Sequence, residues 1–334
     1  MKTQVLITID TEFSVGGAFV DPERNRPVGP EAVFCEVGGR SHGLGFLLDT
    51  FAEFGTKATF FVEALNTHFF GDAPMGAIAR RIRDAGQDVQ LHLHPCWTYF
   101  ERSDWRNRLR SDPPSDHMHS RSVDTLTSWM QQGISAFERW GIARPVAMRT
   151  GSMMADRNVY SAMESVGLPL ASNIGLAVYR PADPALHLYS GVHRIGGITE
   201  APVLTYADLV LGARTHLKSL TVTGTSFGEA RSLLDTAQEE GVETVVLLTH
   251  PFEFVKYTSP GFGNIRPNGI NQDRLRHLCR HLADNADRFE TVPMGGLRAS
   301  GTAAASGRNT LLRVPVHRTL GRILENRVNS LRSA

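Results

Sequence analysis

The chain is poor in the features that mark several large functional classes. It has only three cysteines, Cys35, Cys96 and Cys279, none in a CxxC pair, and an odd number does not make a disulfide scaffold. No run reaches the roughly 18 apolar residues of a membrane-spanning helix. There is no excess charge of either sign: 35 basic against 34 acidic residues leave +1, too little basic surplus for a general nucleic-acid binder. No GxGxxG opens a helix after the first strand, which disfavours a dinucleotide-binding domain. No GxSxG elbow is present, which disfavours a serine hydrolase. The first residues, MKTQVLITID, enter a strand at once, without an apolar h-region or cleavage site, so a cytoplasmic location is expected.

What remains is ordinary for a soluble globule with a sizeable core: 334 residues, 41% hydrophobic and 21% charged. Short apolar runs alternate with amphipathic stretches, the pattern of parallel strands joined by crossover helices. Strands are expected at Gln4–Asp10, Ala58–Val62, Asp88–His92, Val146–Arg149, Leu170–Asn173, Ile195–Pro202, Ser219–Val222, Thr244–His250 and Glu290–Pro293. Helices are expected at His42–Phe54, Pro74–Ala85, Ser122–Trp140, Asp156–Val166, Phe227–Glu240 and Asn271–Ala286, with Gly86, Gly141, Gly167 and Gly241 placed to end four of them. This rhythm points to an α/β barrel, in an irregular form, more than to an open sheet.

Two segments break the rhythm. Phe13–Arg40 and Thr98–Arg121 are long, polar loops expected to shape a pocket at the C-terminal ends of the strands. From Ser300 the composition shifts to six Arg and one Glu, a net +5, leaving about −4 on the preceding residues. Leu320, Ile323, Leu324, Val328 and Leu331 recur there at helical spacing, so residues 300–334 read as a basic amphipathic tail beyond a domain of residues 1–299. Such a tail either docks on the barrel, stays partly disordered, or makes peripheral contact with an anionic membrane surface.

The chemistry sits at strand ends. In Thr8-Ile9-Asp10-Thr11-Glu12 the two carboxylates share one face, because side chains along a strand alternate with period two. In Asp88-Val89-Gln90-Leu91-His92-Leu93-His94-Pro95 the same alternation pairs His92 with His94, and two imidazoles plus a carboxylate leave a catalytic metal an open position. Cys96, four residues after His92, is an alternative ligand to His94. Arg149 closes the strand Val146-Ala147-Met148-Arg149 and is suited to gripping a carboxylate such as Asp10. Thr199-Glu200-Ala201-Pro202 reads as strand and turn alone. Val245-Val246-Leu247-Leu248-Thr249-His250 delivers a histidine as an acid or base from a rigid element. Together these strand ends point to metal-assisted hydrolysis.

At these residues the sequence resembles the polysaccharide deacetylase superfamily over about residues 4–297, with the motif order kept. ITIDTE resembles the first motif, ATFFVEA (Ala58–Ala64) the strand after the first helix, DVQLHLHP the histidine motif, AMRTGSM the arginine motif and LLTHP the last motif. The resemblance implies a distorted (β/α) barrel of about seven strands, with the basic C-terminal helical extension added to it. It also implies a divalent metal held by Glu12, His92 and His94, with zinc expected and cobalt, nickel or manganese admissible. Asp10 would be the catalytic base, tethered by Arg149, and His250 the general acid. The implied reaction removes an N-acetyl group from an amino-sugar conjugate or polysaccharide precursor, making a carbohydrate the expected partner. Hydrolysis of another C–N bond, in a cyclic amide or imide, and a catalytically inactive sugar-binding homologue are the alternatives. The chain departs from the commonest family pattern in three places. Thr11 separates the two acids, the histidines are spaced H-x-H with Cys96 where the second histidine usually stands, and Thr150-Gly151 follows the arginine. Whether His94 or Cys96 is the third ligand therefore stays open.

Overall fold

A computed structural model describes residues 2–212, 214–297 and 308–331. Of the tail expected from Ser300 onward, residues 300–307 and 332–334 and the side chain of Leu331 lie outside the described residues.

The main elements, leaving aside short helices and strands within the loops such as the helix Pro30–Phe34, follow the expected alternation. In chain order they are β1 (Thr3–Thr11), α1 (Leu44–Phe54), β2 (Ala58–Glu63), α2 (Asp72–Asp84), β3 (Asp88–Leu93), α3 (Val123–Arg139), β4 (Ala147–Thr150), α4 (Arg157–Val166) and β5 (Leu170–Ala171). They continue with β6 (His193–Ile195), β7 (Ile198–Glu200), β8 (Thr205–Leu211), β9 (Arg214–Ser219), α5 (Phe227–Glu239), β10 (Thr244–Thr249), α6 (Gly269–Asp284), β11 (Phe289–Thr291), β12 (Leu312–Arg313) and α7 (Val316–Leu331). Local chemistry sets the helix ends. The Ser122 and Asp156 side chains cap α3 and α4, and Ser226 with Glu229 closes a capping box on α5. Gly167, at φ +71°, stops α4 in a left-handed conformation that side chains with a Cβ rarely adopt.

The main sheet has nine strands in the order β10–β1–β2–β3–β4–β5–β7–β6, with β11 also paired to β1. It curls: a bridge from Val203, just past β7, to Val246 of β10 joins its two ends, and a bridge from Thr221, just past the ribbon β8–β9, to Leu248 adds to the closure, giving a distorted α/β barrel. The count exceeds the expected seven because it includes β11 and both strands of a short hairpin. Ile195–Pro202 is a hairpin, β6–β7, turned at Gly196 (φ +60°), and not one strand. Of the expected strand Ser219–Val222 only Ser219 lies in a strand, as the last residue of the antiparallel ribbon β8–β9, which forms a separate sheet with β12.

Alternation along the strands divides the core in two. Val5, Ile7 and Ile9 of β1, with Phe60, Leu91, Leu93, Val245 and Leu247, pack outward against the helices. Leu6, Phe61, Ala147, Val246 and Leu248 pack inward with Met294 in the barrel interior. Continuing that inward phase toward the strand ends places Asp10 and Glu12, His92 and His94, Arg149 and His250 on one inner face. The period-two pattern thus fixes the site before any functional contact is considered.

Candidate active site

Arg149 is fully buried at the end of β4 and would be costly there without partners. Its Nη1 donates to Asp10 Oδ1 at 2.7 Å, its Nε to the Ser172 carbonyl at 3.0 Å, and its Nη2 to Ser172 Oγ at 2.8 Å. Its guanidinium lies 4.4 Å from the centre of the Phe61 ring. The planar fork is therefore satisfied at three points, and Asp10 is fixed in direction by it. Behind Arg149, Glu200 is a buried carboxyl that accepts from the Asn173 and Ile174 amides and the Tyr160 hydroxyl, with its pKa pushed up to about 7 by burial. The segment around Glu200 is thus structural, but as the buried wall of the site and not as a plain strand and turn.

Beside Asp10 stand the candidate metal ligands. One ligand atom each from Glu12, His92 and His94 lies within 4.8 Å of the other two. Glu12 Oε2 is 2.6 Å from His94 Nε2 and 3.4 Å from His92 Nε2. The remaining ring nitrogens are held: His92 Nδ1 donates to the Arg149 carbonyl at 2.9 Å, and His94 Nδ1 to Asp116 Oδ2 at 2.6 Å. Each imidazole is thereby oriented with Nε2 toward Glu12, as a metal-bound histidine needs. A hard carboxylate oxygen and two oriented imidazoles fit a zinc-like divalent ion. Burial raises the pKa of Glu12, but the charge of His94 and hydrogen bonds from both imidazoles outweigh it, and its carboxyl falls well below the usual range. Burial opposes a charge on His94, yet Glu12 and Asp116 together lift it well above the ordinary value.

Cys96 is not placed with Glu12 and His92. It groups with His94 and Asp116, its amide donating to Asp116 Oδ1 at 3.2 Å, and burial pushes its thiol pKa up. The H-x-H spacing and the Thr150-Gly151 continuation fit each other. A Cβ on Gly151 would lie 2.4 Å from His94 Nδ1, so the ring of His94 occupies the space a side chain would take.

His250 follows β10 and is held by Glu253, whose Oε1 accepts from His250 Nδ1 at 3.0 Å and whose Oε2 accepts from the Thr249 hydroxyl at 2.6 Å. Its Nε2 is 4.0 Å from Asp10 Oδ2. Burial lowers its pKa, but Glu253, with Glu12 and Asp10 beyond, raises it to about 9. At neutral pH this imidazole carries a proton beside a carboxylate fixed by Arg149.

Both long loops reach the cavity of about 220 Å³ that opens on Glu12 and His94, through Phe13 and Val15 from the first and Asp116 from the second. A third wall, Phe252, Tyr257 and Phe262 from the segment after β10, was not foreseen. Three partners were also missed: Asp116, Glu253, and Glu63, a buried carboxyl that accepts from the His94 amide. Glu63 and Glu253 carried faint signals, an acid ending an apolar strand and an acid three residues after a histidine. Asp116 carried none beyond its loop. His117 and His119 of that loop contact each other at 3.1 Å, outside the site.

No protein-family model matches the sequence, and no curated protein matches it. Solved structures similar to the chain include one described as a polysaccharide deacetylase from Mycobacterium smegmatis, with TM-score 0.46, 18% identity and 88% of each chain covered. Another is a family 4 carbohydrate esterase from Streptomyces lividans in complex with acetate, with TM-score 0.42, 13% identity, and 86% of this chain and 91% of that chain covered. A 4-alpha-glucanotransferase from Thermococcus litoralis aligns with TM-score 0.50 and 9% identity, covering 94% of this chain and 42% of that one. At these identities the likeness concerns the fold.

Proposed function

We propose that the chain is a divalent-metal-dependent hydrolase of the polysaccharide deacetylase type, removing an N-acetyl group from an amino-sugar conjugate or polysaccharide precursor. The observation that carries this reading is one constellation. An Arg149-tethered Asp10 lies between the Glu12, His92 and His94 cluster and a His250 that Glu253 keeps protonated.

Glu12, His92 and His94 would hold the cation, zinc first, with cobalt, nickel or manganese compatible with the same donors. When bound there, it supplies Lewis acidity toward the acyl group and makes a nearby water more acidic. Asp10, aimed by Arg149, takes the proton of the attacking water. His250 gives its Nε2 proton to the departing nitrogen, which leaves as a free amine beside acetate. Glu253 and Thr249 hold the imidazole so that this proton faces the same space as Asp10. Phe13, Trp97 and Phe252 line the cavity and limit water around the acyl group. The free thiols of Cys35, Cys96 and Cys279 support action in a reducing, cytoplasmic compartment, on a precursor.

The test is acetate release from N-acetylated amino-sugar oligomers by zinc-loaded protein, with cyclic amides and imides assayed beside them. Acetate release that falls on His250→Ala supports the reading. Ring opening of cyclic amides without acetate release overturns the substrate class. Turnover of neither by metal-loaded protein leaves only the sugar-binding alternative.

A further inference from the structure

The C-terminal helix α7 is packed the wrong way round for a helix of a soluble globule, which normally turns its apolar stripe toward the core. Its inward face is polar. Arg322 is buried, donating to Glu229 Oε1 at 3.0 Å and Asp208 Oδ2 at 2.6 Å, and the Thr319 hydroxyl donates to the Asp208 carbonyl at 2.8 Å. Its outward face carries Val316, Leu320, Ile323, Leu324 and Val328, each 45–66% exposed. These are five of the twelve large hydrophobic side chains exposed among the described residues. Val210 and Leu211, also exposed, stand at the end of β8, the strand whose Asp208 anchors the helix.

Charge accompanies the stripe. Arg313, Arg318 and Arg327 are exposed on the same segment, and Arg214 on the neighbouring ribbon. The one acid of the helix, Glu325, is tied to the buried Arg274 at 2.6 Å. The stripe is therefore apolar, with Arg327 within it and, among the described residues, no acid of the helix left to neutralise that cation, while Arg318 turns toward Gly228 of α5. Two occupants suit such a face, a second copy of the chain and an anionic bilayer. A single helix face about 24 Å long and 10 Å wide falls far short of the roughly 800 Å² per partner that a standard protein interface buries. A bilayer has no such requirement: a helix lying in the interface binds through its apolar stripe and the attraction of Arg to anionic lipid.

We infer that α7 is an in-plane membrane-docking helix that seats the protein on an anionic lipid surface. The docking does not depend on the proposed activity, but it bears on it. The inner side of α7, through Asn326 and Asn329, walls a cavity of about 470 Å³. Tyr257 lines that cavity and the catalytic one alike. A docked helix would thus hold the catalytic mouth close to substrates presented at the bilayer.

The full chain, sedimented with vesicles of phosphatidylcholine containing about 30% phosphatidylglycerol and with pure phosphatidylcholine vesicles, tests the inference. Binding to the anionic vesicles is expected to be at least about tenfold tighter and to weaken with added salt. Leu320→Gln with Leu324→Gln is expected to weaken it at least about tenfold while leaving the thermal melt unchanged, since both side chains face solvent. Arg327→Gln is expected to cost about fivefold, on anionic vesicles only. Unchanged binding by the double leucine variant, or no sedimentation of the wild type, overturns the inference. So does a wild-type dimer, seen by light scattering, that the double variant converts to monomer without either binding vesicles.

Discussion

Glu253→Gln is the substitution whose effect can be worked through most fully. Glu253 accepts from His250 Nδ1 at 3.0 Å, and against the opposing effect of burial that hydrogen bond, followed by the charge of Glu253, raises the imidazole from 6.5 to about 9. Glutamine keeps an acceptor oxygen but removes both the charge and the charge-assisted strength of the hydrogen bond, so the imidazole should fall by about two units, toward 7. Around pH 8 the protonated fraction then drops from roughly nine-tenths to one-tenth, and a reaction needing His250 as an acid slows about tenfold. Near pH 6 both forms are protonated, and the rates should agree within about twofold. A bound cation lowers both alkaline limbs together, so the displacement between the two proteins is the quantity to read. Stability of the metal-free protein gives a second readout. The folded pKa is the raised one, so the favourable contribution is complete below about pH 6.5 and disappears as pH rises through about 9. At 1.36 kcal/mol per unit it amounts to at most about 3 kcal/mol, and the variant should lose most of it. Acetate release across this range, with an NMR titration of the imidazole, decides the matter. An equal loss at both ends, or an unmoved alkaline limb, refutes the acid role of His250.

Asp10→Asn should keep the bond from Arg149 and full metal content while acetate release falls about 10²–10⁴-fold, as read by metal analysis and an acetate assay on one preparation. Asp116→Asn takes the carboxylate from His94 Nδ1 and should weaken metal affinity about 10–100-fold in a competitive chelator titration, whereas Cys96→Ser should leave it within about twofold. Arg149→Met strands the buried Asp10 carboxylate and should cost about 3–5 kcal/mol in denaturant unfolding, with Arg149→Lys losing less because it retains the charge. Gly151→Ala should displace the His94 ring and reduce metal affinity without a comparable loss of fold, seen by titration beside circular dichroism.

The parts of this site legible in the sequence are those that strand periodicity controls. Asp10 and Glu12, and His92 and His94, were paired by alternation alone, and the registers of β1 with β2 and of β2 with β3 bring their strand ends level. The helices expected from Ser122 and from Asp156 begin one residue later, because both side chains cap the helix and do not enter it. The partners that orient the site were not legible, since loop geometry brings them in. Asp116 lies 22 residues from His94 in the chain, and nothing local in that polar loop distinguishes it from Asp112. The β6–β7 hairpin was missed although Gly196-Gly197 marks its turn, because apolar residues on both sides read as one continuous strand. The tail shows the limit most clearly. Its helical period was visible, but an apolar stripe facing outward depends on Asp208 and Glu229, more than 90 residues away, claiming Arg322.

The most direct measurement is anomalous diffraction at the zinc edge from crystals of the metal-loaded protein. A peak coordinated by Glu12 Oε2 and by Nε2 of His92 and His94, with Asp10 and His250 facing the open side, is the predicted result. A peak held by His94, Cys96 and Asp116, or none near Glu12 in protein that carries stoichiometric zinc, would contradict it.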